Sequence, residues 1–250
     1  MRDIVLVVPC YNEADRLDVD AYRTYADRTP GLRFLFVDDG STDSTADVLE
    51  GLSSNGPAFE TMRLEHNQGK AEAVRRGILK ALESEPAFVG FWDADLSTPL
   101  QELDGFLEVF ERHPAIEMVF GARVNLLGRT IQRNLMRHYI GRIFATMAAT
   151  ALKLPIYDTQ CGAKVFRVDD TLAELFREPF LSRWIFDVEI IARRLVGSRA
   201  DDGPPVRDVI YELPLTAWHD VQGSKIRLRD FVIVAGDFLR IRRAYLRRAR

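Results

Sequence analysis

Phe88-Val89-Gly90-Phe91-Trp92-Asp93-Ala94-Asp95 joins an apolar run to two acids, and its reading decides the fold. The run lies between Pro86 and Ser97-Thr98-Pro99, which predicts a buried strand with breakers on either side. Two acids therefore sit where a strand ends. In extended backbone, residues two apart point the same way. The spacing then predicts that Asp93 and Asp95 face one point, with small Ala94 leaving room for a ligand. Paired carboxylates of this kind suit a divalent cation carrying a phosphate-rich substrate. A solvated acidic loop is the alternative that the triplet alone leaves open.

Working outward, Ile4-Val5-Leu6-Val7-Val8 is a continuous apolar run ended by Pro9, the pattern of a strand in a parallel sheet covered on both faces. Further strands are predicted at 33–37, 61–65 and 117–121. Helices are predicted at 14–28, 44–52, 71–83 and 100–112, the last with Leu103, Phe106, Leu107 and Phe110 as its buried stripe. This alternation predicts a doubly wound α/β fold with a mostly parallel central sheet flanked by helices, in which ligands bind beyond the carboxyl ends of the strands. The polar clusters Cys10-Tyr11-Asn12-Glu13, Asp38-Asp39, His66-Asn67-Gln68-Gly69-Lys70 and Asp93-Ala94-Asp95 all fall at such ends. The second half is less regular. A helical stretch over 130–152, short strands at 165–166 and 209–213, and helices at 171–176, from 184 onward and from 228 onward are predicted.

A chain of 250 residues with 47% hydrophobic and 28% charged residues is ordinary globular material. The net charge of −3 argues against general nucleic-acid binding. Two cysteines, Cys10 and Cys161, are too few for a disulfide framework and predict a reducing, cytoplasmic setting. The apolar run before Pro9 is too short for a signal-peptide core, and Arg142 and Lys153 interrupt the apolar stretch nearest to membrane-spanning length, so neither signal peptide nor transmembrane helix is expected. Neither G-x-G-x-x-G nor G-x-x-x-x-G-K-[ST] occurs, which disfavours dinucleotide oxidoreductases and P-loop enzymes. The four histidines have no metal-ligand spacing, and only His219, beside Trp218, is a candidate to line a site.

Each remaining cluster has two readings. Asp38-Asp39 suits contact with a pyrimidine N–H or ribose hydroxyls, or a helix-capping turn. A signalling receiver fits poorly, since its acids should follow the first strand. Asn67-Gln68-Gly69-Lys70 is either a simple turn or a place where Gly69 lets backbone approach a base or phosphate and Lys70 supplies a point charge.

Taken in order, Pro9-Cys10-Tyr11-Asn12-Glu13, Val37-Asp38-Asp39-Gly40-Ser41 with Asp43, Asn67-Gln68-Gly69-Lys70 and Asp93-Ala94-Asp95 resemble the inverting family 2 glycosyltransferases, over nearly the whole chain. Gly121-Ala122-Arg123, Asp158-Thr159-Gln160-Cys161-Gly162-Ala163-Lys164, Arg183-Trp184 with Phe186-Asp187-Val188-Glu189, and Gly223-Ser224-Lys225 are similar to the dolichyl-phosphate glucosyltransferases and their bacterial polyprenyl-phosphate relatives. The resemblance implies a GT-A type nucleotide-binding fold. It also implies a nucleotide-sugar site of Pro9, Tyr11, Asn12, Glu13, Asp38, Asp39, Gly69, Lys70, Asp93, Ala94 and Asp95, and Mg2+ or Mn2+ on Asp95 and Asp93. The catalytic set implied is Asp93, Asp95 and Asp158. A mannosyl-transferring branch has a glutamine ligand two residues past the second acid, where this chain has Ser97.

An acceptor hydroxyl would need a general base, whereas a polyprenyl phosphate already carries its nucleophilic oxyanion and needs cations to dock it. Arg123, Arg133, Lys164, Ser224 and Lys225 are the expected acceptor-phosphate residues. Asp158 is either a sugar contact or a base. The expected activity is inverting transfer of glucose from UDP-glucose to a polyprenyl or dolichyl phosphate. The alternatives are another donor (GDP-mannose or a UDP-N-acetylhexosamine), a sugar-hydroxyl acceptor, or a non-catalytic membrane-surface nucleotide-binding module. The expected division is a domain over 1–225, with a nucleotide-sugar half at 1–122 and an acceptor half at 123–225, followed by a basic amphipathic helix at 226–250. That helix suits the anionic cytoplasmic face of a membrane, as a peripheral protein, or packs on the domain with a solvated basic face.

Overall fold

The computed structural model describes residues 3–54, 56–132, 135–200, 203–220 and 228–246. In the first half, β1 (Ile4–Cys10), α1 (Val19–Arg28), β2 (Leu32–Asp38), α2 (Thr45–Ser53), β3 (Phe59–Arg63), α3 (Lys70–Leu82), β4 (Phe88–Trp92), α4 (Leu103–Arg112) and β5 (Met118–Ala122) alternate as the hydrophobic periodicity predicts. The second half adds β6 (Thr130–Gln132), α5 (Leu135–Leu152), β7 (Ala163–Arg167), α6 (Leu172–Arg177) and α7 (Phe186–Ala200). It continues with α8 (Val206–Val209), β8 (Ile210–Pro214), β9 (Ala217–His219) and α9 (Leu228–Ile241), which runs into a π-helical turn, Arg242–Leu246.

The main sheet has the order β3-β2-β1-β4-β7-β5-β8. Strands β3, β2, β1 and β4 are mutually parallel, and β8 is parallel to β5. Strand β7 runs antiparallel to both of its neighbours, β4 and β5. Hydrophobic patterning carries no sign for strand direction, so this insertion is a tertiary result. It also seats a strand of the second half between two strands of the first. The strand order reverses between β1 and β4, and such a switch point opens a crevice at the carboxyl ends.

Alternation along β1 divides the core. Val5 and Val7 face one cluster with Leu35, Val37 and Phe91 and with α3 and α7 residues such as Ala73, Val74 and Ile190. Ile4, Leu6 and Val8 face the other, with Tyr22, Phe34, Phe36 and the α4 residues Leu103, Phe106 and Phe110. Both faces of the sheet are thus covered, which is why its strands read as continuous apolar runs.

Several boundaries differ from expectation. Helix α1 begins at Val19, because the Asp18 side chain accepts the Ala21 N–H at 2.9 Å and caps it there. Residues 14–17 instead turn, with the Arg16 and Leu17 N–H groups donating to the Glu13 carbonyl. Strand β3 lies two residues earlier than predicted, in register with β2 from Phe34↔Phe59 to Asp38↔Arg63. The stretch predicted as one helix from 130 begins as a strand, because Thr130–Gln132 pairs with Ala217–His219 in a small second sheet. Helix α7, expected from 184 onward, begins at Phe186 and continues to Ala200. Among the described residues, no helix is long and apolar enough to cross a membrane. Both cysteines are buried free thiols.

Candidate active site

The loops after β1 and β2 are laced together. Asn12, at φ 55°, accepts the Thr42 N–H on Oδ1 at 2.9 Å and donates its own N–H to Ser41 Oγ at 3.0 Å. The Glu13 N–H donates to Thr45 Oγ1 at 2.8 Å. Pro9 pairs with Val37 in the β1–β2 register, and Tyr11 is exposed. Glu13 Oε1 accepts from Arg16 at 2.7 Å, while its other oxygen is buried with no hydrogen-bond partner. Burial pushes the Glu13 carboxyl up to about 7. Arg16 opposes the rise, and the negative charges of Asp95 and Asp93 add to it.

The two acids after β2 have different surroundings. Asp38 is 2% exposed; Oδ1 accepts the Ser41 N–H at 2.9 Å, and Oδ2 has no hydrogen bond although Arg63 Nε lies 3.3 Å away. Asp39 accepts the Gln68 N–H at 2.8 Å and the Gly69 N–H at 2.7 Å, one on each oxygen. Asp39 therefore holds the 66–69 loop in place rather than presenting two free acceptors. Between these loops Gly40 has φ +67°, and a Cβ there would lie 2.6 Å from the His66 carbonyl carbon, so no side chain fits.

After β4 the backbone turns at once. The Leu96 N–H donates to the Asp93 carbonyl at 3.2 Å, and Leu96 has φ 50°. The expectation that Asp93 and Asp95 project from extended backbone is corrected: they occupy a turn, because the strand's pairing stops at Trp92. Their charges still converge, since both act on Glu13 and on Lys70. Asp93 Oδ1 is hydrogen-bonded and ion-paired to Lys70 Nζ. Burial opposes the Lys70 charge, but Asp93, with smaller help from Asp187 and Asp95, holds its pKa above the usual lysine value. Asp95 Oδ1 accepts the Ser97 N–H at 3.0 Å. Ala94 is buried, and its carbonyl accepts from the Tyr22 hydroxyl at 3.4 Å. Ser97 also accepts the His219 N–H at 2.8 Å through its carbonyl, which sets β9 beside this turn.

On the other side of the crevice, Arg123 grips Asp158 with two parallel bonds, Nε to Oδ2 at 2.6 Å and Nη2 to Oδ1 at 2.8 Å. The Arg123 backbone N–H adds a bond to Oδ2 at 3.1 Å, and the Trp218 ring lies 5.3 Å from the guanidinium. The Asp158 charge holds the Arg123 pKa above its ordinary value against the effect of burial. Glu212 fixes this segment by accepting the Tyr157 and Asp158 N–H groups, each at 2.7 Å. Burial raises the Glu212 pKa, and those two bonds oppose the rise.

Lys164 departs from expectation. It was expected to meet an acceptor phosphate, but its side chain is wholly buried, 2.6 Å from Asp187 Oδ1, donating to the Cys161 carbonyl at 2.5 Å and lying between the Phe91 and Phe120 rings. Its place on β7, paired with Phe91 of β4 and Phe120 of β5, is the reason. Arg133, Ser224 and Lys225 lie outside the described residues. Sequence reasoning quoted Asp187 and Gly162 within the resemblance without giving either a role, and passed over Glu212; a Cβ at 162 would lie 1.9 Å from Asp93 Oδ2. It likewise gave no role to Arg183, whose Cδ would lie 3.3 Å from a Cβ at Gly69. The signal available was the buried charge in Phe186-Asp187-Val188-Glu189, an acid within an apolar run that demands a partner.

Among the described residues, no group of three or more His, Cys, Asp or Glu side chains is arranged to hold a metal ion. The Asp93 and Asp95 carboxylates nonetheless fit a hard cation, since they are oxygen donors of the kind Mg2+ and Mn2+ accept when phosphates and waters complete the shell.

A sheet of this order, with acids at the carboxyl ends of β2 and β4 and covered on both faces by helices, is the GT-A glycosyltransferase fold. Glucosyl-3-phosphoglycerate synthase from Mycobacterium tuberculosis, in a crystal structure with Mn2+, UDP-glucose and phosphoglyceric acid, superposes with a TM-score of 0.64 at 17% identity, covering 96% of this chain and 78% of that one. The Glycosyl transferase family 2 profile matches residues 5–172. The chain belongs to that family and is a glycosyltransferase. A dolichyl-phosphate beta-glucosyltransferase of Dictyostelium discoideum is 29% identical over 258 residues, 96% of this chain and 74% of that protein. One of Saccharomyces cerevisiae is 29% identical over 265 residues with the same coverage, and one of Drosophila melanogaster is 32% identical over 205 residues, 76% of this chain and 61% of that protein.

Proposed function

We propose that this glycosyltransferase moves glucose from UDP-glucose to a polyprenyl or dolichyl phosphate with inversion, on a membrane surface. The observation that carries the reading is the Arg123–Asp158 pair, set against relatives named for dolichyl phosphate over nearly the full chain. An acceptor hydroxyl would need a base, and the acid best placed by sequence to be one has both oxygens bound by a guanidinium. A phosphate monoester brings its own oxyanion and needs no base.

In this reading the loops carrying Pro9, Tyr11, Asn12 and Glu13 line the nucleoside site with Asp38, whose Oδ2, ion-paired with Arg63 but without a hydrogen bond, accepts from a base or ribose donor. Asp39 sets the Gly69 loop against them. Asp93 and Asp95 would hold Mg2+ or Mn2+, which supplies charge neutralisation to the departing diphosphate. Arg123, with Arg133, Ser224 and Lys225, docks the acceptor phosphate in line with the anomeric carbon. Residues 1–122 thus serve the donor and 123–225 the acceptor. The Arg240, Arg242 and Arg243 side chains beside exposed Ile233 and Leu239 suit an anionic bilayer surface on the cytoplasmic side.

Incubation with a polyprenyl phosphate and a panel of labelled sugar nucleotides, with and without Mg2+ or Mn2+, tests the proposal. Metal-dependent transfer of glucose to the lipid phosphate is expected. Transfer from GDP-mannose or a UDP-N-acetylhexosamine instead would replace the donor, and transfer only to sugar hydroxyls would overturn the acceptor.

A further inference from the structure

We propose that Lys70 is the resident counter-ion of Asp93, that a divalent cation must displace it, and that the displaced ammonium then meets the diphosphate of the donor. The inference rests on the reading of Asp93 and Asp95 as metal ligands and assigns a role to a residue that is not a ligand.

Lys70 opens α3 directly after Gly69, whose φ of 95° turns the chain into the helix. Its ammonium bonds Asp93 Oδ1, one of the oxygens a hard cation would use. Three acids act on it: Asp93, Asp187 and Asp95. Asp187 already has its own partner in Lys164 at 2.6 Å and accepts from Gln160 Nε2 at 3.3 Å. Asp93 is ion-paired with Lys70, and its charge also acts on Arg123, which Asp158 holds by two bonds. A divalent cation would bring two positive charges to the Asp93–Asp95 turn where the Lys70 ammonium brings one.

Exposure separates this pair from the other lysine pair at the site. The Lys70 and Asp93 side chains are 40% and 32% exposed, whereas those of Lys164 and Asp187 are 0% and 7% exposed. Lys164 cannot leave without stranding a buried acid, whereas the part-exposed Lys70 has a path to solvent. Lysine suits an exchange of this kind, being a point charge with three donors on a flexible four-carbon stem. The pair also keeps Asp93 in one rotamer against Gly162, so the ligand is oriented before any metal arrives.

The test needs no turnover. Mn2+ binding without nucleotide, followed by electron paramagnetic resonance, is measured for the wild-type chain and for Lys70→Met. The variant is expected to bind Mn2+ about two- to fivefold more tightly, the scale of a part-exposed charge pair, and to bind UDP more weakly when Mn2+ is saturating. Equal or weaker Mn2+ affinity in the variant overturns the proposal. In the wild-type chain, Mn2+ alone is expected to speed reductive methylation of Lys70 relative to Lys80, which pairs with Glu83 away from the site. An unchanged ratio also overturns it, even where the variant does not fold. Asp95→Asn distinguishes the two levels: Mn2+ binding lost in that variant keeps the metal reading whatever Lys70 does, and wild-type protein that binds no Mn2+ even with UDP removes both.

Discussion

The carboxylate of Asp93 occupies the space that any side chain at residue 162 would need. A Cβ on Gly162 would lie 1.9 Å from Asp93 Oδ2 and 2.1 Å from its Cγ. The same glycine accepts the Asp93 N–H at 3.0 Å through its carbonyl, so the strand-end acid of β4 and the residue before β7 fit only as a pair.

Gly162→Ala is therefore expected to swing Asp93 off Lys70 and lower glycosyl transfer by about 10- to 100-fold, the scale of a misplaced reacting geometry. Thermal unfolding followed beside the transfer assay checks the cause. A near-normal melting temperature with lost activity is expected, and full activity would mean that the Asp93 rotamer is not needed.

Asp39→Asn should destabilise the fold by about 1–3 kcal/mol, because an amide can accept only one of the two N–H bonds from Gln68 and Gly69 and turns a donor toward the other. Urea unfolding measures it. Exchange of the Gln68 and Gly69 amide protons should speed up in the same variant.

Lys164→Met should cost about 3–5 kcal/mol, since it leaves the buried Asp187 carboxylate without its partner. Adding Asp187→Asn is expected to recover part of that loss, because the stranded charge is then gone. A double variant no more stable than the single one would refute the pairing as the cause.

Glu13 predicts a pH dependence. Its carboxyl titrates near 7 in the folded chain against 4.5 for the free side chain, so the folded state holds its proton more tightly. The stability this contributes is full below about pH 4.5 and is lost as pH rises through 7, on the order of 2 kcal/mol by pH 8. Glu13→Gln should flatten that slope and be the more stable protein at pH 8. Urea midpoints at pH 5 and pH 8 for both proteins decide it.

Local chemistry made much of this legible from the chain alone. The apolar runs at Ile4–Cys10 and Phe88–Trp92, the periodic stripe of Leu103, Phe106, Leu107 and Phe110, and the polar clusters that follow β1, β2 and β4 depend on residues near one another in sequence, and they determined the alternating α/β fold and the edge of the sheet at which the site lies. The direction of β7, its seat between β4 and β5, and the consequences of that seat were decided only by tertiary structure. Lys164, Asp187, Gly162 and Asp93 span 95 residues and meet because β7 enters between β4 and β5. Whether a charged pair is part-exposed, as at Asp93, or sealed in the core, as at Lys164, depends on what water reaches it. Exposure is a property of the packed chain and is not carried by the residue's own neighbours in sequence.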